Sequence, residues 1–456
     1  MSSRFCVRRF RLLLWSWSFV LGLVPGFSAS GGWAEPEHFF ENERIKRQEL
    51  APGVTWIAAS GTREGRPLRT QILAVDLREP SLSLRTLLGS RQARAASSEI
   101  LRHRLASHRH RDPGAFIRQS SSELITLLGE PQADVANGQF FLRSRVSQLR
   151  HDNGALAAIN ATYFDIKATQ SPTGLVMSSG MLIREPASNR PSFLYQPGGR
   201  ATVATPGWKA QVRVGDRRRP LAAVNRPALT GDEVVLYVPP WLRTQGIRSK
   251  HLEGETLVEL LVEKSGFFPA RKPGESSRLL GRVREIRRDQ PSTELGKDEF
   301  LLAAPKAAAP FFRDAKVGDE VEVRWELLDT PGEWYEWTEI VSAGPILFEG
   351  GGWKPREGKK WVPRHPRTAI GIDKTGLQLL LVVVDGRSEL SAGMGFNTLG
   401  EYLHHLGAHD AINLDGGGSS AMNAIVEGRA QTLNHPSDAT ERYVPTGLGV
   451  FVKGTP

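Results

Sequence analysis

The segment Leu377 to Val384, Leu-Gln-Leu-Leu-Leu-Val-Val-Val, runs directly into Asp385-Gly386-Arg387. A short apolar run bounded by turn residues predicts a strand that is buried on both faces. A second such junction follows, where Ala411 to Leu414 runs into Asp415 and three consecutive glycines. Both carboxylates therefore come just past the end of a predicted strand.

A helix is predicted between these two strands. Thr398 to Glu401 matches a capping box, apolar residues then follow at helical spacing, and Gly407 is a suitable C-terminal stop. Ala421 to Val426 predicts a third strand. Elsewhere short strand patterns dominate: Val54 to Trp56, Gln71 to Leu77, Leu156 to Ile159, Asp232 to Val238, Thr256 to Val262 and Glu320 to Leu327. The predicted class is α+β, with mixed sheets, few helices and an active-site cleft at strand ends.

The N-terminus has the pattern of a secretory signal peptide. Four arginines between positions 4 and 11 precede the apolar run Leu12 to Val24, and small residues follow up to Ala34. We predict a signal peptide over residues 1–34 and export to the periplasm or the extracellular space. No second long apolar stretch follows, so no membrane span is expected after cleavage.

Composition restricts the classes of partner and site. The 456-residue chain carries a net charge of +10, and cleavage after Ser30 would remove four arginines and no acid, which leaves +6. A mildly basic protein gives no reason to expect a nucleic-acid partner. The only cysteine is Cys6, so the predicted mature protein has no disulfide and no thiolate ligand or nucleophile.

The mature chain divides into two predicted parts. Residues 35–154 hold N-terminal strands and an Arg/His-rich insertion, and they lead into the main domain at 155–456. The Arg85 to Arg118 stretch has eight arginines and three histidines against Glu99 and Asp112. We interpret it as a solvated insertion, with a polyanion-binding site as the alternative.

The block from Asn413 to Ser420, Asn-Leu-Asp-Gly-Gly-Gly-Ser-Ser, carries the strongest functional signal. Three consecutive glycines weaken regular structure, and a stable fold accepts them where the backbone turns sharply or approaches a ligand. Amides in such a loop form an anion-binding concavity, and serine hydroxyls add donors. We therefore predict that this loop binds substrate, through the residues Gly416, Gly417, Gly418, Ser419 and Ser420.

Two arginines and two further polar residues are candidates for the same site. Arg367 begins the predicted strand Arg-Thr-Ala-Ile-Gly, and Arg387 follows Asp385; a planar guanidinium suits phosphate because it bonds two oxygens at once. Asn160 and Asp165 flank the aromatic pair of Asn-Ala-Thr-Tyr-Phe-Asp, and they could bond sugar hydroxyls or a metal ion.

In order along the chain, these motifs resemble the phosphodiester glycosidase family. The matching segments are Ile159 to Phe164, Ser342 to Pro345, Arg367 to Gly371, Val384 to Arg387 and Asn413 to Ser420. Leu50 to Val54 is similar to the first strand usual in the family, so the resemblance extends from about Leu50 to Val450. The sequence departs from the pattern in the Arg85 to Ala155 stretch, which looks inserted. It also departs at Ala161-Thr162, where the family usually has glycine.

The resemblance implies hydrolysis of a sugar-1-phosphodiester, such as one of N-acetylglucosamine, which releases free sugar and a phosphate monoester. Arg367, Arg387 and the glycine loop would hold the phosphate. Asp415 is the first candidate for the catalytic carboxylate and Asp385 the second. The sequence leaves cleavage of the C–O or the P–O bond open.

Three alternatives remain at this point. Gly417 to Ala421 approaches a nucleophile elbow, which would make Ser419 the nucleophile of a serine hydrolase, although the elbow needs a helix after the serine. The same loop could serve a non-catalytic binder of surface polysaccharide. The sequence assigns no definite cofactor, and a metal-dependent variant stays open, since Asn160, Asp165, Asp385 and Asp415 offer the oxygen ligands that Mg²⁺ or Ca²⁺ prefers.

Overall fold

The computed structural model describes residues 39–90, 141–167, 169–226, 231–241, 257–288, 295–305 and 308–453. The predicted signal peptide and residues 91–118 of the Arg/His-rich stretch lie outside these ranges. Within them, four β-sheets and two α-helices form, which confirms the predicted α+β class with few helices. No helix of the described part is long and apolar enough to cross a membrane.

The elements are numbered here in chain order. Those of the first half are β1 (Glu41–Ala51), β2 (Val54–Arg63), β3 (Arg66–Asp76), β4 (Leu82–Leu88), α1 (Val146–Asp152), β5 (Ala157–Asn160), β6 (Val176–Ser178), β7 (Met181–Arg184), β8 (Ser192–Tyr195), β9 (Ala201–Ala204), β10 (Gly207–Val214), β11 (Arg217–Pro220), β12 (Ala223–Val224) and β13 (Val235–Tyr237). Those of the second half are β14 (Leu257–Phe268), β15 (Ser277–Arg288), β16 (Glu299–Pro305), β17 (Glu320–Leu328), β18 (Glu339–Ser342), β19 (Ile346–Phe348), β20 (Arg367–Ile372), β21 (Gln378–Val384), α2 (Phe396–His405), β22 (Asp410–Asn413), β23 (Met422–Val426), β24 (Arg429–Thr432) and β25 (Thr446–Val452). Short 3₁₀ turns cover Ala309–Phe312, Trp334–Glu336 and Gly417–Ser419.

The first sheet has the strand order β1-β2-β3-β21-β20-β22-β19. The apolar run that predicts a buried strand forms β21, and all seven of its residues are buried. Strand β20 lies between β21 and β22 and is antiparallel to both. The C-terminal ends of β21 and β22 therefore meet the N-terminal end of β20 at one edge of the sheet.

The second sheet, β24-β23-β5-β25-β4, packs against the first. Val75, Ile370 and Leu381 of the first sheet share one buried cluster with Ile159 and Val450 of the second. The strands of residues 41–88 thus share sheets with the C-terminal part, because β3 pairs with β21 and β4 pairs with β25.

The two helices cover the outer faces of this pair of sheets. In α1, Val146 and Leu149 pack with Ala158 of the second sheet. In α2, the buried hydroxyl of Tyr402 lies 3.0 Å from the hydroxyl of Thr70 in the first sheet. The layer order is helix, sheet, sheet, helix, and the site described below lies at one edge of the two central layers.

The start of α2 differs from the prediction, while its end agrees. Thr398 is not the N-cap; the helix begins at Phe396 after Gly395, and no side chain caps it. A Cβ at Gly395 would lie 2.6 Å from Val362 O, so close packing against the preceding loop sets where the helix starts. Gly407 follows the helix with a φ of +94°, as expected for a C-terminal stop.

The remaining strands form a third sheet of eight strands and a fourth of five. The third has the order β11-β10-β17-β15-β14-β16-β13-β12, in which β12 and β13 are parallel, and the fourth has the order β7-β6-β18-β8-β9. The predicted strands at 232–238, 256–262 and 320–327 are observed as β13, β14 and β17. Leu260 and Trp325 of the third sheet share a core with Met177 and Leu194 of the fourth.

Candidate active site

The glycine block is the connection by which the chain passes from the first sheet to the second. Strand β22 ends at Asn413 in one sheet, and β23 begins at Met422 in the other. Gly417 takes a φ of +63°, which favours glycine. A Cβ at Gly418 would overlap Arg442 Nη2 and Asp438 Oδ2. Gly417 is therefore favoured by the turn, and a side chain at position 418 would have to displace the ion pair packed on it.

Asn160, at the end of β5, holds this loop in place. Its Nδ2 donates to Asp415 O at 2.7 Å, and its Oδ1 accepts from Thr368 Oγ1 at 2.8 Å and from Ala421 N at 3.1 Å. The side chain is fully buried. Asn160 thus joins β5, β20 and both ends of the glycine loop.

Asp415 lies at the start of the loop, and its side chain is half-buried. Oδ1 accepts from Gly416 N at 2.9 Å, and the Ser419 side chain also bonds the carboxylate. Burial raises the pKa of Asp415 to about 6, although these hydrogen bonds and the charge of Arg442 act in the opposite direction. The carboxyl therefore changes its charge near neutral pH.

Asp385 connects to the same loop through a residue that the sequence analysis did not select. Its Oδ1 accepts from His435 N at 2.8 Å, and Asn434 also bonds its side chain. Asn434 Nδ2 in turn donates to Ser420 O at 3.1 Å. Burial raises the pKa of Asp385, while the bonds from His435 and Asn434 act against that rise.

Arg367 begins β20 and is largely used by the fold. Nε donates to Met394 O at 3.0 Å and Nη2 donates to Pro363 O at 2.9 Å, while the guanidinium lies 3.9 Å from the centre of the Phe396 ring. The side chain is buried, and desolvation lowers its pKa to about 10. Two of its donors are therefore already engaged by main-chain carbonyls.

Arg387 is in a different situation, since it is exposed at the surface of the loop. A Cβ at Gly417 would lie 3.1 Å from its Nη2, so the guanidinium lies directly against the turn. Among the described residues, none forms a hydrogen bond or ion pair with it. Its backbone takes a φ of +60°, an unfavourable conformation of the kind that concentrates at functional sites.

Tyr163 and His365 border the site, although neither was among the selected residues. Tyr163 donates to Gly344 O at 2.6 Å and accepts from Asn413 Nδ2 at 2.8 Å. Burial and the nearby Asp415 charge raise its pKa to about 12. Burial and the charges of Arg367 and Arg387 lower the pKa of His365, and its buried Nδ1 has no partner in the described part of the chain.

Another group of missed residues comes from the loop after β24. Arg442 bonds Asp438 at 2.6 Å and lies 3.4 Å from Ser419 Oγ, so this ion pair covers the glycine loop. The polar run from Asn434 to Arg442 was the sequence signal, but its spacing matches no motif.

Asp165, a further selected residue, lies in the turn after Tyr163. Its Oδ2 accepts from Thr169 N and Thr169 Oγ1, both at 3.0 Å, and so closes its own turn. Within the described ranges, no three His, Cys, Asp or Glu side chains form a group that could hold a metal ion.

The main-chain amides of the loop are mostly engaged inside the fold. Gly416 N donates to the Asp415 carboxylate and Gly417 N to Pro366 O, while Ser419 N and Ser420 N close the turn. The buried Ser419 is followed by a strand, not by the helix of a nucleophile elbow. Arg387, whose side chain is exposed, is therefore the group through which this site would bind an anion.

Comparison with known proteins agrees with the motifs. Residues 280–451 match the family model described as phosphodiester glycosidase. An uncharacterized protein derived from the SPbeta prophage of Bacillus subtilis (strain 168) is 39% identical over 87 residues, which are 19% of this chain and 13% of that protein.

Two of the matching solved structures, from Synechocystis and Burkholderia pseudomallei, share the fold at low sequence identity. A hypothetical protein from Synechocystis has a TM-score of 0.61 and 19% identity over 90% of this chain and 64% of its own length. A candidate exported protein from Burkholderia pseudomallei has a TM-score of 0.65 and 18% identity over 92% of this chain and 100% of its own. The zebrafish N-acetylglucosamine-1-phosphodiester alpha-N-acetylglucosaminidase catalytic domain has a TM-score of only 0.36 and 14% identity, over 90% of this chain and 88% of its own.

This chain spans about two thirds of the Synechocystis protein and a small part of the prophage-derived one. The family match covers the motifs that contain Ser342, Arg367, Asp385 and Asp415. The family resemblance seen in the sequence is thereby confirmed, and the match extends over residues 280–451.

Proposed function

We propose that the protein hydrolyses a sugar-1-phosphodiester, of the N-acetylglucosamine-1-phosphodiester type, into free sugar and a phosphate monoester. One observation supports this most directly. The carboxyl of Asp415, whose pKa burial raises to about 6, and the exposed guanidinium of Arg387 share one glycine loop. A sugar-1-phosphodiester has a negative charge that Arg387 can bind. Its sugar has an anomeric carbon at which a nearby carboxylate can assist the reaction.

The proposed roles follow from which groups are free. Arg387 binds the phosphate, and Arg367 mainly supports it by holding the loop that carries Pro366. Above about pH 6, ionised Asp415 accepts a proton from the attacking water or stabilises an oxocarbenium ion. The phosphate monoester leaves readily because its second pKa is about 6, so it needs little help from a general acid. Asp385, held through Asn434, is the second candidate carboxyl.

The bond that breaks is open to direct measurement. Hydrolysis in ¹⁸O-labelled water places the label in the sugar if the C–O bond breaks and in the phosphate if the P–O bond breaks. Because Asp415 is proposed to assist the reaction at the anomeric carbon, we expect the C–O bond to break and the label to appear in the sugar.

The test of the reaction is sugar release from a sugar-1-phosphodiester and from the matching neutral glycoside. Wild type should turn over the phosphodiester and act poorly on the glycoside, because a neutral leaving group neither binds Arg387 nor departs as easily. Asp415→Asn should lower turnover by roughly 100-fold or more. The wild-type rate should rise with pH through an apparent pKa of about 6, the value given by burial of Asp415.

Equal rates on both substrates, or an Asp415→Asn protein as fast as wild type, would contradict this mechanism. Binding of phosphodiesters without any turnover would favour the alternative of a non-catalytic glycan binder. A serine nucleophile is the less supported alternative because Ser419 is buried and its described partners are Asp415 and Arg442.

Export is part of the proposal. It rests on the arginine-rich start, the short apolar run and the small residues up to Ala34, and a structural neighbour is named as a candidate exported protein. Mass spectrometry of protein from its native cell should find an N-terminus between Gly31 and Glu35. An intact Met1 on material in the cytoplasm would contradict export.

A further inference from the structure

The outer side of the third sheet is rich in arginine. Strands β10, β15 and β17 alternate buried apolar and outward polar residues, as a half-buried sheet requires. The strand register places the outward residues of five neighbouring strands in two rows. One row is Phe268, Arg278, Arg324, Gln211 and Pro220, and the other is Gly266, Leu280, Glu322, Arg213 and Arg218. Arg282 and Glu320 pair beside the second row.

We call the set Arg213, Arg218, Arg278, Arg282, Arg324, Glu320 and Glu322 the arginine face. Five guanidinium groups against two carboxylates give it a formal charge of +3, and Glu275, which lines the second depression described below, reduces the local excess to +2. Arg278 and Arg324 stand directly opposite each other on neighbouring strands, an arrangement that like charges disfavour. The structure therefore holds more positive charge here than its own carboxylates neutralise.

Glu322 organises this charge from within the sheet. It is buried, with Arg324 Nε at 2.8 Å, Arg213 Nε at 3.4 Å and Arg278 Nη1 at 4.0 Å from its carboxylate. The pKa of Glu322 is lowered: burial is the largest effect and acts in the opposite direction, but the bonds from Arg324 and Arg213 outweigh it together. One carboxylate thus lies within 4.0 Å of three guanidinium groups.

The outer parts of these arginines stay accessible. The side chains of Arg278 and Arg324 are 47% and 46% exposed. They line two adjoining depressions of about 360 and 320 Å³, and both arginines belong to both. The second depression is also lined by Phe268, which is 47% exposed, and the Arg278 guanidinium lies 5.7 Å from its ring centre.

An exposed aromatic ring next to exposed guanidinium groups has the chemistry to bind a charged sugar chain. The ring packs against a sugar face, and each planar guanidinium bonds two oxygens of a phosphate or carboxylate. Nucleic acid is less suited, since proteins that bind single strands stack successive bases on several rings. Among the described residues of this surface, Phe268 is the one exposed ring.

We propose that the arginine face, together with Phe268, binds an anionic glycan that bears phosphate or carboxylate groups. The inference rests on the proposed function only for the idea that this glycan carries the scissile phosphodiester; the binding itself is independent. The third sheet would then hold the polymer while the glycine loop acts on it.

The experiment measures binding of the full chain to fluorescent dextran phosphate, carboxymethyl dextran, unmodified dextran and a single-stranded DNA oligonucleotide. Wild type should bind the charged dextrans but not unmodified dextran, and binding should weaken between about 50 and about 500 mM salt. The two charged dextrans show whether phosphate or carboxylate is preferred.

The main variant is Arg278→Ala/Arg324→Ala, which should weaken binding of a charged dextran by at least about tenfold. Its control is Arg44→Ala/Arg429→Ala, which removes the same charge from exposed positions on the first and second sheets and should change binding by less than about twofold. Phe268→Ser leaves every ion pair intact, so it serves if the double variant does not fold, and it should weaken binding by about threefold or more.

Several results would overturn the inference. The first is that wild type binds neither charged dextran, and the second is that the main variant and its control lose binding equally. The third is that Phe268→Ser and Arg278→Ala/Arg324→Ala both bind as well as wild type. The fourth is that wild type binds the DNA more tightly than the charged dextrans. Asp415→Asn should keep dextran binding, and Arg278→Ala/Arg324→Ala should keep turnover of a small sugar-1-phosphodiester. Binding without any turnover would thus reject the proposed function and leave this inference standing.

Discussion

The side chain of Asn160 and the main-chain oxygen of Asp415 form a hydrogen bond of 2.7 Å across 255 positions of sequence. The bond joins the end of a strand in one sheet to the loop that leaves the other sheet. Because the same side chain also accepts from Thr368 and Ala421, the position of the Asp415 carboxyl depends on three segments at once.

Asn160→Ala should therefore destabilise the fold. It leaves Asp415 O, Thr368 Oγ1 and Ala421 N without this partner in a buried place, and each such group costs about 1–3 kcal/mol. Urea unfolding should show a loss of at least about 2 kcal/mol. Thr368→Val, which removes only one of the three bonds, is the graded control, at about 1 kcal/mol. Equal losses in both variants would show that Asn160 does not act as the junction.

Removing the Asp415 charge should stabilise the protein at neutral pH. The pKa of this group is about 6 in the folded state against 3.8 in the reference state. The folded state thus keeps a proton that the unfolded state loses, so the free energy of unfolding falls as pH rises through this window. Above about pH 6 the ionised Asp415 carboxylate lowers the free energy of unfolding by its full amount.

Asp415→Asn carries no such penalty. It should be more stable than wild type by roughly 1–3 kcal/mol at pH 7.5 and equally stable near pH 4. Urea unfolding at the two pH values measures the difference. A variant that is less stable than wild type at pH 7.5 would show that hydrogen bonds to the carboxylate outweigh its burial.

The two arginines should separate into different roles. Arg387→Lys keeps the charge but loses the two-pronged geometry, so kcat/KM for the phosphodiester should fall by about 10-fold or more with little change in stability. Arg367→Lys should also weaken phosphodiester use, but through the fold. It loses the contacts with Met394 O, Pro363 O and the Phe396 ring, and should reduce unfolding free energy by about 1–3 kcal/mol. Unchanged kcat/KM in Arg387→Lys would assign the phosphate to another group.

Gly418→Ala should disturb the site by overpacking. The new methyl group must displace the partly exposed Arg442–Asp438 ion pair, which should cost about 1 kcal/mol or less and should move Arg442 away from Ser419. The pH profile of turnover should then move to higher pH, because Arg442 helps to lower the pKa of Asp415. Gly352→Ala is the matched control, since its Cβ would come no closer than 4.0 Å to a neighbour. A harmless Gly418→Ala would mean that the ion pair moves freely.

The sequence predicted those parts of the fold that rest on local patterns. The apolar runs gave β21 and β22, and the position of an acid just past each strand followed from them. It did not predict β15, although Leu279, Gly281 and Val283 are buried there and alternate with outward residues that are mostly arginines. The low overall hydrophobicity of the strand hides this alternation.

The candidate site was predictable to the extent that its residues belong to motifs. Asp385, Asp415 and Arg387 follow from their place at strand ends. Asn434 and Arg442 could not be selected, because their roles arise from contacts made only when the loop after β24 folds over the glycine turn. Likewise, only tertiary packing distinguishes the engaged Arg367 from the exposed Arg387.

The position of β25 has a consequence for the order of assembly during synthesis. This strand lies between β4 and β5, so the second sheet cannot close before residues 446–452 have been made. Asn160 belongs to β5, which pairs with β25, and its partner Asp415 is also made late in synthesis. Contacts so distant in sequence form late. The growing chain therefore stays without its finished reactive centre for almost the whole of translation, and a nascent chain stalled before residue 446 would lack the strand that closes it.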